Sequence, residues 1–222
     1  MRTLGCVVVF SKPAQPGRVK TRLVGDLTPA QTAQLHQAFL DDLIERLRSG
    51  AHEVWLAWAL DPGQEPPTTD LPALVQRGEN LGERLFNALE RVGRQHEFCA
   101  AVGSDHPELP LNRLDEAFER LAAGADLVLG PASDGGYYLV AVRRQSLHRE
   151  VFEGIPWSTP GVLETTLARG AELGLRVELL ELGHDVDRPE DLPRLQSFLE
   201  AHPSLCPRTR VLFERWGLAG VG

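Results

Sequence analysis

The sequence contains 222 residues (24.5 kDa), with 23 Lys and Arg against 31 Asp and Glu residues, which gives a formal charge of −8. This acidity argues against a nucleic-acid groove as the main site, because phosphate backbones are held by clustered Lys and Arg side chains. A chain of this length buries roughly 70% of its unfolded surface, enough for one core without disulfides or structural zinc, so we expect a single domain over residues 1–222.

The cysteines are widely spaced and form no C-x-x-C pair, which argues against a disulfide framework or a zinc site. Two of them, Cys6 and Cys99, lie in apolar runs and are predicted to be small core residues. The N-terminus lacks the basic and long apolar segments of a signal peptide, and the apolar run Leu4–Phe10 is too short to span a bilayer. We therefore expect a reduced, cytoplasmic protein without a membrane span.

Short apolar runs alternate along the chain with stretches of helical periodicity. This alternation is typical of an α/β fold, a mainly parallel sheet covered by helices on both faces. The predicted strands are Leu4–Phe10, Val54–Leu60, Phe98–Val102, Leu127–Leu129, Tyr137–Val142 and Val177–Leu182. The predicted helices cover about Pro29–Arg48, Gly82–Arg94, Leu111–Ala123, Gly161–Leu173, Glu190–Ala201 and Arg208–Trp216.

Local signals define three of these features more closely. Thr28 is followed by a proline and, three residues on, by Gln31, a capping pattern that predicts the start of the first helix. Leu127–Leu129 and Tyr137–Val142 flank seven residues, too few for a crossover helix, so we expect antiparallel neighbours and a mixed sheet. The segment Asp61–Pro72 holds four prolines and predicts an irregular surface excursion.

The first predicted strand runs into a loop with two prolines and four cations, Lys12, Arg18, Lys20 and Arg22. In an open α/β sheet this loop lies at the carboxyl edge, where ligands bind, and its charges suit a di- or triphosphate. It is not a Walker A loop, because Val19 rather than glycine precedes Lys20. A solvated basic loop is the alternative, but four cations in eleven residues of so acidic a chain favour phosphate binding.

A carboxylate follows the strand Phe98–Val102. That strand ends in Gly-Ser-Asp-His-Pro, which places Asp105 at the same edge as the cationic loop. Mg²⁺ or Mn²⁺ is usually held by one or two carboxylates together with substrate phosphates, so one Asp at a strand end is enough. An Asp in a turn before proline fits the pattern as well, and the spacing leaves both interpretations open.

Asp134 precedes two glycines between apolar strands. Asp-Gly at such a place is a standard hairpin-turn signal, and the turn is the favoured interpretation. Adjacent glycines would also let a ligand approach the backbone, where Tyr137 or Tyr138 would stack on a ring or bond a hydroxyl.

An Asp-x-Asp pattern, Asp185 and Asp187, follows the last predicted strand and opens a helix. Asp187 has an acid three residues further on and therefore reads first as a helix cap. The alternative is that the two acids complete a metal shell begun by Asp105.

Two smaller features carry less information. Gly82 lies in a Gly-rich segment that either begins a helix near a nucleotide or is only an N-terminal turn. Trp157, Ser158 and Thr159 occupy a proline-bounded loop, where an indole and two hydroxyls would line an acceptor pocket or the indole would seal the core.

Together these segments resemble a bacterial family of GT-A-like transferases, the radical-SAM- or selenodomain-associated transferases and arsenosugar-biosynthesis glycosyltransferases. The sequence is more distantly similar to 2-phospholactate guanylyltransferase and to the molybdenum-cofactor nucleotidyltransferases. The resemblance covers about residues 4–199 and its motifs appear in order, although each motif alone is weak. These motifs are Phe10–Pro13, Gly17–Leu23, Gly103–Pro107, Asp134–Leu139, Trp157–Thr159 and Asp185–Leu192.

The resemblance implies a three-layer, Rossmann-like nucleotide-diphospho-sugar transferase (GT-A) fold with a mixed, mainly parallel sheet. Beyond the part that it covers, we expect a C-terminal helical extension over residues 202–222. It implies that Asp105 binds Mg²⁺ or Mn²⁺, with Asp187 and less directly Asp185 as the second acidic position. In the mechanism that we expect, Asp134 orients the acceptor or sugar hydroxyls from its glycine turn. The implied nucleotide-binding residues are Phe10, Lys12, Arg18, Lys20, Arg22, Gly82 and Ser104. The implied acceptor or sugar pocket comprises Gly135, Gly136, Tyr137, Trp157, Ser158 and Thr159. Ser11 and His106 depart from the family pattern, which has alanine at the first position and a small residue or cysteine at the second.

Three functions use these residues. The first is a metal-dependent glycosyltransferase that takes a nucleoside-diphosphate sugar and a small-molecule acceptor, with Lys12, Lys20 and Arg22 stabilising the departing diphosphate. The alternative is a nucleotidyltransferase, in which a phosphate or carboxylate substrate attacks the α-phosphate of a nucleoside triphosphate and pyrophosphate leaves. A non-catalytic nucleotide-binding module ranks last.

Overall fold

The computed structural model describes residues 5–218, so Leu4 of the first predicted strand and residues 219–222 of the predicted C-terminal extension lie outside the described residues. The strands are β1 (Cys6–Ser11), β2 (Glu53–Trp58), β3 (Ala73–Val75), β4 (Phe98–Gly103), β5 (Leu127–Pro131), β6 (Tyr137–Arg143) and β7 (Val177–Leu179). The helices are α1 (Pro29–Arg48), α2 (Leu81–Gly93), α3 (Leu111–Ala122), α4 (Val162–Glu172), α5 (Leu192–Ala201) and α6 (Pro207–Arg215). Short 3₁₀ turns cover Thr21–Leu23, Arg144–Ser146, Arg149–Phe152 and Pro189–Asp191.

The strands form one sheet in the order β3-β2-β1-β4-β6-β5-β7. Of the strands within residues 5–218, only β6 runs antiparallel to its neighbours, β4 and β5, and the remaining pairs are parallel. The antiparallel pairing of β5 with β6 confirms the prediction from their short connection. Because β1, β4, β5 and β7 run in the same direction, the loops that follow them all emerge at one edge of the sheet.

Helices cover both faces of this sheet. One face packs against α1 and α3 through a core that includes Leu40 and Phe118. The other face packs against α2 and the turn Arg149–Phe152, with Leu85 and Leu89 among the buried residues. The mixed, mainly parallel sheet between two helical layers confirms the predicted fold class.

Helix α1 shows how closely local chemistry sets an element's bounds. The Thr28 hydroxyl accepts the backbone N–H of Gln31 (3.3 Å), and the Gln31 side chain accepts the N–H of Thr28 (2.9 Å). The predicted start and end of this helix are confirmed. Strand β3 was not predicted, because three residues at the edge of a sheet give no readable alternation, whereas the segment Asp61–Pro72 before it is irregular as expected. Among residues 5–218, no helix combines the length and hydropathy needed to cross a bilayer.

The last helix is held by a buried carboxylate. Helix α6 packs against α1 in a third apolar cluster that includes Phe39 and Phe213. Asp42 of α1 is fully buried and accepts the backbone N–H groups of Arg208 (3.1 Å) and Thr209 (2.9 Å) and the Thr209 hydroxyl (2.8 Å). The first N–H groups of a helix have no intrahelical acceptor, so Asp42 caps α6 from a neighbouring helix.

Replacing this cap should destabilise the fold. Asp42→Ala leaves the buried N–H and hydroxyl of Thr209 and the partly buried N–H of Arg208 without their acceptor, which should lower the free energy of unfolding in urea by roughly 2–4 kcal/mol. The control is Asp41→Ala, whose carboxylate accepts one exposed hydrogen bond from Gln37 and should change stability by less than about 0.5 kcal/mol. Equal effects of the two substitutions would contradict the capping assignment.

Candidate functional site

Charged side chains from three separate segments meet at the carboxyl edge of the sheet. The cationic loop follows β1, Asp105 follows β4, and Asp185 and Asp187 follow β7. The main chain joins two of these segments, because the N–H of Val186 donates to the carbonyl of Asp105 (3.0 Å). Strands β1 and β4 are far apart in the sequence and become neighbours only in the sheet. The strand order therefore brings these charges together.

Lys20 lies at the centre of this convergence. Its ammonium contacts Oδ1 of Asp105 (2.5 Å) and the carbonyl of Val186 (2.5 Å), and its side chain is 1% exposed. Its backbone is left-handed (φ 49°, ψ 38°), which is uncommon for a residue other than glycine and marks a position held by its surroundings. The ammonium also lies 5.3 Å from the centre of the Phe39 ring. Lys20 thus ties the cationic loop to both acidic segments.

The other cations of the loop differ in their partners. Arg22 forms an ion pair with Asp187, and both side chains are more than one-third exposed. Arg18 instead pairs with Asp61, in the proline-rich segment, and in the described part of the chain it forms no ion pair with the acidic cluster of Asp105, Asp185 and Asp187. Lys12 is exposed and close enough to Asp105 to help lower its pKa. The structure therefore groups Lys12, Lys20 and Arg22 with the carboxylates.

The pKa values of the Asp105 and Asp185 carboxyls are shifted in opposite directions. Burial alone would raise the pKa of Asp105, but the Lys20 ammonium outweighs it and holds the pKa below the usual value. Burial, together with the charges of Asp105 and Asp134, raises the pKa of Asp185 to about 7. His106 does not neutralise Asp185, because burial lowers the His106 pKa to about 4 and its Nδ1–H donates to the carbonyl of His184 (2.7 Å). Among residues 5–218, no side chain that is charged at neutral pH forms an ion pair with the Asp185 carboxyl, although the Lys20 charge partly lowers its pKa.

A buried hydrogen-bond network that the sequence analysis missed lies beneath the cationic loop. The Ser104 hydroxyl donates to the Ser11 hydroxyl (3.1 Å), and Ser11 Oγ lies 3.1 Å from Nε2 of His36. The same Nε2 lies 3.0 Å from the carbonyl of Lys12. A histidine on the apolar face of α1, between Leu35 and Phe39, was the signal available, but such a residue is usually a core histidine.

The residues predicted to line an acceptor pocket lie in the turn after β5 and in the loop before α4, and these two segments contact each other and the start of α2. A Cβ on Gly135 would approach the Pro160 carbonyl to 2.2 Å, and the φ of Gly135 is +90°, so only glycine fits this contact. Gly82 likewise leaves room for the Trp157 indole, which a Cβ would approach to 2.9 Å. Ser158 has a positive φ of 66°, uncommon for a residue other than glycine. The turn after β5, the start of α2 and the loop before α4 therefore form one wall.

Several predicted site residues serve the structure of this wall or of the sheet. Asp134 Oδ1 accepts the N–H of Gly136 (2.9 Å), which confirms the turn interpretation, and its charge also reaches Asp185. The Tyr137 phenol oxygen is buried, and its ring packs edge-on against Trp157 at 6.2 Å. The Thr159 hydroxyl donates to the carbonyl of Pro156 (2.7 Å). Phe10 packs against the apolar core between the sheet and α2, and its carbonyl accepts the N–H of Ser104 (3.1 Å). Among the implied pocket residues, Tyr137 is therefore one whose hydroxyl is buried in the protein.

The donor set at this edge suits a hard divalent cation. Among residues 5–218, no three His, Cys, Asp or Glu side chains are arranged to hold a metal by themselves. The charge of Asp105 raises the pKa of Asp185, so the two carboxylates are close enough to repel each other, and a cation would relieve that repulsion. Mg²⁺ and Mn²⁺ take oxygen ligands and are commonly completed by substrate phosphates and water, so these residues fit such an ion.

The fold is that of the nucleotidyltransferases and nucleotide-diphospho-sugar transferases. A protein of Desulfovibrio desulfuricans G20, provisionally assigned as a nucleotide-diphospho-sugar transferase, superposes with a TM-score of 0.86 at 27% identity over 97% of this chain and 99% of its own. Molybdopterin-guanine dinucleotide biosynthesis protein A of Archaeoglobus fulgidus shares the fold, with a TM-score of 0.55 at 13% identity over 88% of this chain and 99% of its own.

The chain belongs to the family DUF2064, described as uncharacterized proteins conserved in bacteria, whose model matches residues 44–159. It is also 28% identical to the 2-phospho-L-lactate guanylyltransferase of Methanothrix thermoacetophila, over 98% of this chain and 91% of that enzyme. The similarity to 2-phospholactate guanylyltransferases that the motifs indicate is thus confirmed. The link to radical-SAM and arsenosugar proteins stays a prediction.

Removing the unpaired carboxyl should stabilise the metal-free protein. An Asp titrates near pH 4 in an unfolded chain, whereas the Asp185 pKa is about 7 in the fold. The stability associated with the protonated carboxyl is therefore present below about pH 4 and is lost as the pH rises towards 7. As the pH rises through this range, the unfolding free energy of Asp185→Asn should increase relative to that of wild type. The difference should reach about 1 kcal/mol at pH 8, and it stays this small because partial exposure screens the repulsion. Urea denaturation with EDTA at several pH values measures the gain.

The matched control is Asp70→Asn. The Arg48 guanidinium lowers the pKa of Asp70, so this substitution should lose stability relative to wild type at high pH, the opposite sign. A pH-independent difference between Asp185→Asn and wild type would contradict the electrostatics assigned to Asp185.

Proposed function

We propose that this protein is a nucleotidyltransferase that transfers a nucleoside monophosphate from a nucleoside triphosphate to a small anionic acceptor. One observation carries the proposal: the buried Lys20 ammonium joins the cationic loop to Asp105 and to the segment that contains Asp187. A cation and a carboxylate that can bind a metal thus lie next to each other at the edge of the sheet. A polyphosphate bound together with a divalent ion needs both kinds of group. The similarity to a guanylyltransferase over almost the full chain supports it.

The chemistry assigned to the chain is mainly electrostatic. An oxygen of the acceptor attacks the α-phosphorus, the bond between that phosphorus and the bridging oxygen of the β-phosphate breaks, and pyrophosphate leaves with the bond's electrons. Lys12, Lys20 and Arg22 stabilise the charge that grows on the leaving pyrophosphate, Lys12 and Arg22 as exposed side chains and the buried Lys20 through its charge alone. An acceptor phosphate or carboxylate is already anionic at neutral pH, so no general base is needed.

Asp105 and Asp185 are the residues that would hold Mg²⁺ or Mn²⁺. When bound, such an ion neutralises phosphate charge and orients the α-phosphate for in-line attack. Asp187 keeps Arg22 beside the site through their ion pair. In this proposal the acceptor binds against the wall formed around Gly135 and Trp157.

A glycosyltransferase that uses a nucleoside-diphosphate sugar is the second candidate. It is favoured by the raised pKa of Asp185, because a carboxyl that titrates near 7 suits a general base for an acceptor hydroxyl. The structural similarity to the Desulfovibrio desulfuricans protein supports this alternative.

Product analysis separates the two reactions. The protein is incubated with Mg²⁺ or Mn²⁺, each of the four nucleoside triphosphates and a panel of phosphorylated small acids, and separately with nucleotide sugars and hydroxyl acceptors. We expect pyrophosphate from the first set, with the nucleotide sugars intact. Release of a nucleoside diphosphate from the sugars, without pyrophosphate from the triphosphates, would overturn the proposal in favour of glycosyl transfer. Binding of nucleotides without either product would indicate a non-catalytic module.

Asp105→Asn tests the assigned carboxylate in the same assay. Loss of this charge should weaken Mg²⁺-dependent binding of the triphosphate at least tenfold, as measured by calorimetry, because both the ion and Lys20 lose their partner. Asp26→Asn, an exposed carboxylate in the turn before α1, should leave the affinity unchanged. Equal affinities of Asp105→Asn and wild type would contradict the assignment of Asp105.

A further inference from the structure

His36 lies beneath the cationic loop, next to the candidate site, and none of the sequence motifs includes it. It lies on α1, 4% exposed, with its ring between the cationic loop and Asp105. Its two nitrogens face different segments. Nε2 faces the carbonyl of Lys12 (3.0 Å), and Nδ1 faces Oδ1 of Asp105 at 3.9 Å.

The hydrogen bonds determine the tautomer of this ring. The Lys12 carbonyl is only an acceptor, so the proton must be on Nε2, which donates to it. Nδ1 then carries a lone pair, and it is buried without a hydrogen-bond partner among the described residues. Leaving a buried acceptor unpaired costs free energy. Such a cost at the edge of a charged site points to a function of the ring besides packing.

Nε2–H also closes a chain of contacts between the two loops that carry the site. Ser104, directly before Asp105, donates from its hydroxyl to Ser11, and Ser11 Oγ lies within 3.1 Å of the same Nε2. The main chain adds the bond from the N–H of Ser104 to the carbonyl of Phe10 (3.1 Å). One imidazole N–H therefore anchors the start of the cationic loop next to the turn that carries Asp105.

We propose that His36 is a positioning residue for the polyphosphate site, acting through its Nε2–H. By holding the Lys12 carbonyl and the Ser11 hydroxyl, it fixes the spacing between the loop cations and Asp105. A neutral ring does this without adding a charge beside Lys20. The inference rests on the proposed function and extends it to a residue outside the motifs, and small errors in such spacing reduce binding and rate steeply.

Two amide substitutions separate the nitrogens of the ring. In His36→Gln the amide nitrogen takes the place of Nε2 and can donate to the Lys12 carbonyl, whereas in His36→Asn it takes the place of Nδ1 and cannot. Isothermal calorimetry with Mg²⁺ and GTP, CTP or inorganic tripolyphosphate as probes should give His36→Gln a Kd within about threefold of wild type. His36→Asn should bind at least tenfold more weakly, with a raised KM for the triphosphate and an unchanged KM for the acceptor. Thermal melting checks that both variants fold.

Equal binding by His36→Asn and wild type would overturn the inference, and so would equal losses in the two folded variants. If wild type binds none of the probes, the proposed function fails, and NMR decides the assignment of His36 by itself. Long-range ¹H–¹⁵N correlation should then show the neutral Nε2–H tautomer, and the ¹³C shift of the Lys12 carbonyl should change in His36→Asn but not in His36→Gln. A proton on Nδ1 at neutral pH, or an unchanged carbonyl shift, would refute the positioning assignment.

Discussion

The ion pair between Lys20 and Asp105 is the contact on which the geometry of the candidate site depends. The Lys20 side chain is almost completely buried, and an ammonium is costly to bury unless it is paired and hydrogen bonded. Asp105 and the Val186 carbonyl supply these partners from segments that are distant in sequence. The fold therefore cannot satisfy Lys20 without bringing the loop after β1, the turn after β4 and the segment after β7 together.

This requirement explains how a chain with a net charge of −8 concentrates cations at one edge of its sheet. Lys20 and Arg22 are each paired with a carboxylate, so their charges are close to balanced. Asp185 is the exception, since its neighbours are mostly carboxylates and burial adds to their effect. A divalent ion with a polyphosphate would add positive charge beside Asp185 and negative charge beside the loop cations, where each is favoured.

Regular elements were predictable because their signals are local. The capping residues of α1, the apolar periodicity of α2 and α3 and the short link between β5 and β6 each act within a few residues. Strand β3 escaped because its pairing with β2, rather than its own sequence, makes it a strand. Of the site, the sequence indicated which loops carry charge, since strand ends and loop composition can be read directly.

The pairing of those charges could not be predicted. Nothing local to Arg18 distinguishes it from Arg22, yet it pairs with Asp61 outside the acidic cluster. His36 was equally hidden, because a histidine on an apolar helix face is most often a core residue, and only the strand order places it beneath Lys12 and Asp105. Contacts between side chains more than twenty residues apart depend on the complete topology, which no local pattern encodes.

A double-mutant cycle on Lys20 and Asp105 tests most directly whether this contact holds the site together. The free energies of unfolding of wild type, Lys20→Met, Asp105→Asn and the double variant are compared in urea at pH 7 with EDTA. We expect a favourable coupling energy of about 1–2 kcal/mol, because each single variant leaves a charge without its partner. Additive effects, within about 0.3 kcal/mol, would contradict it.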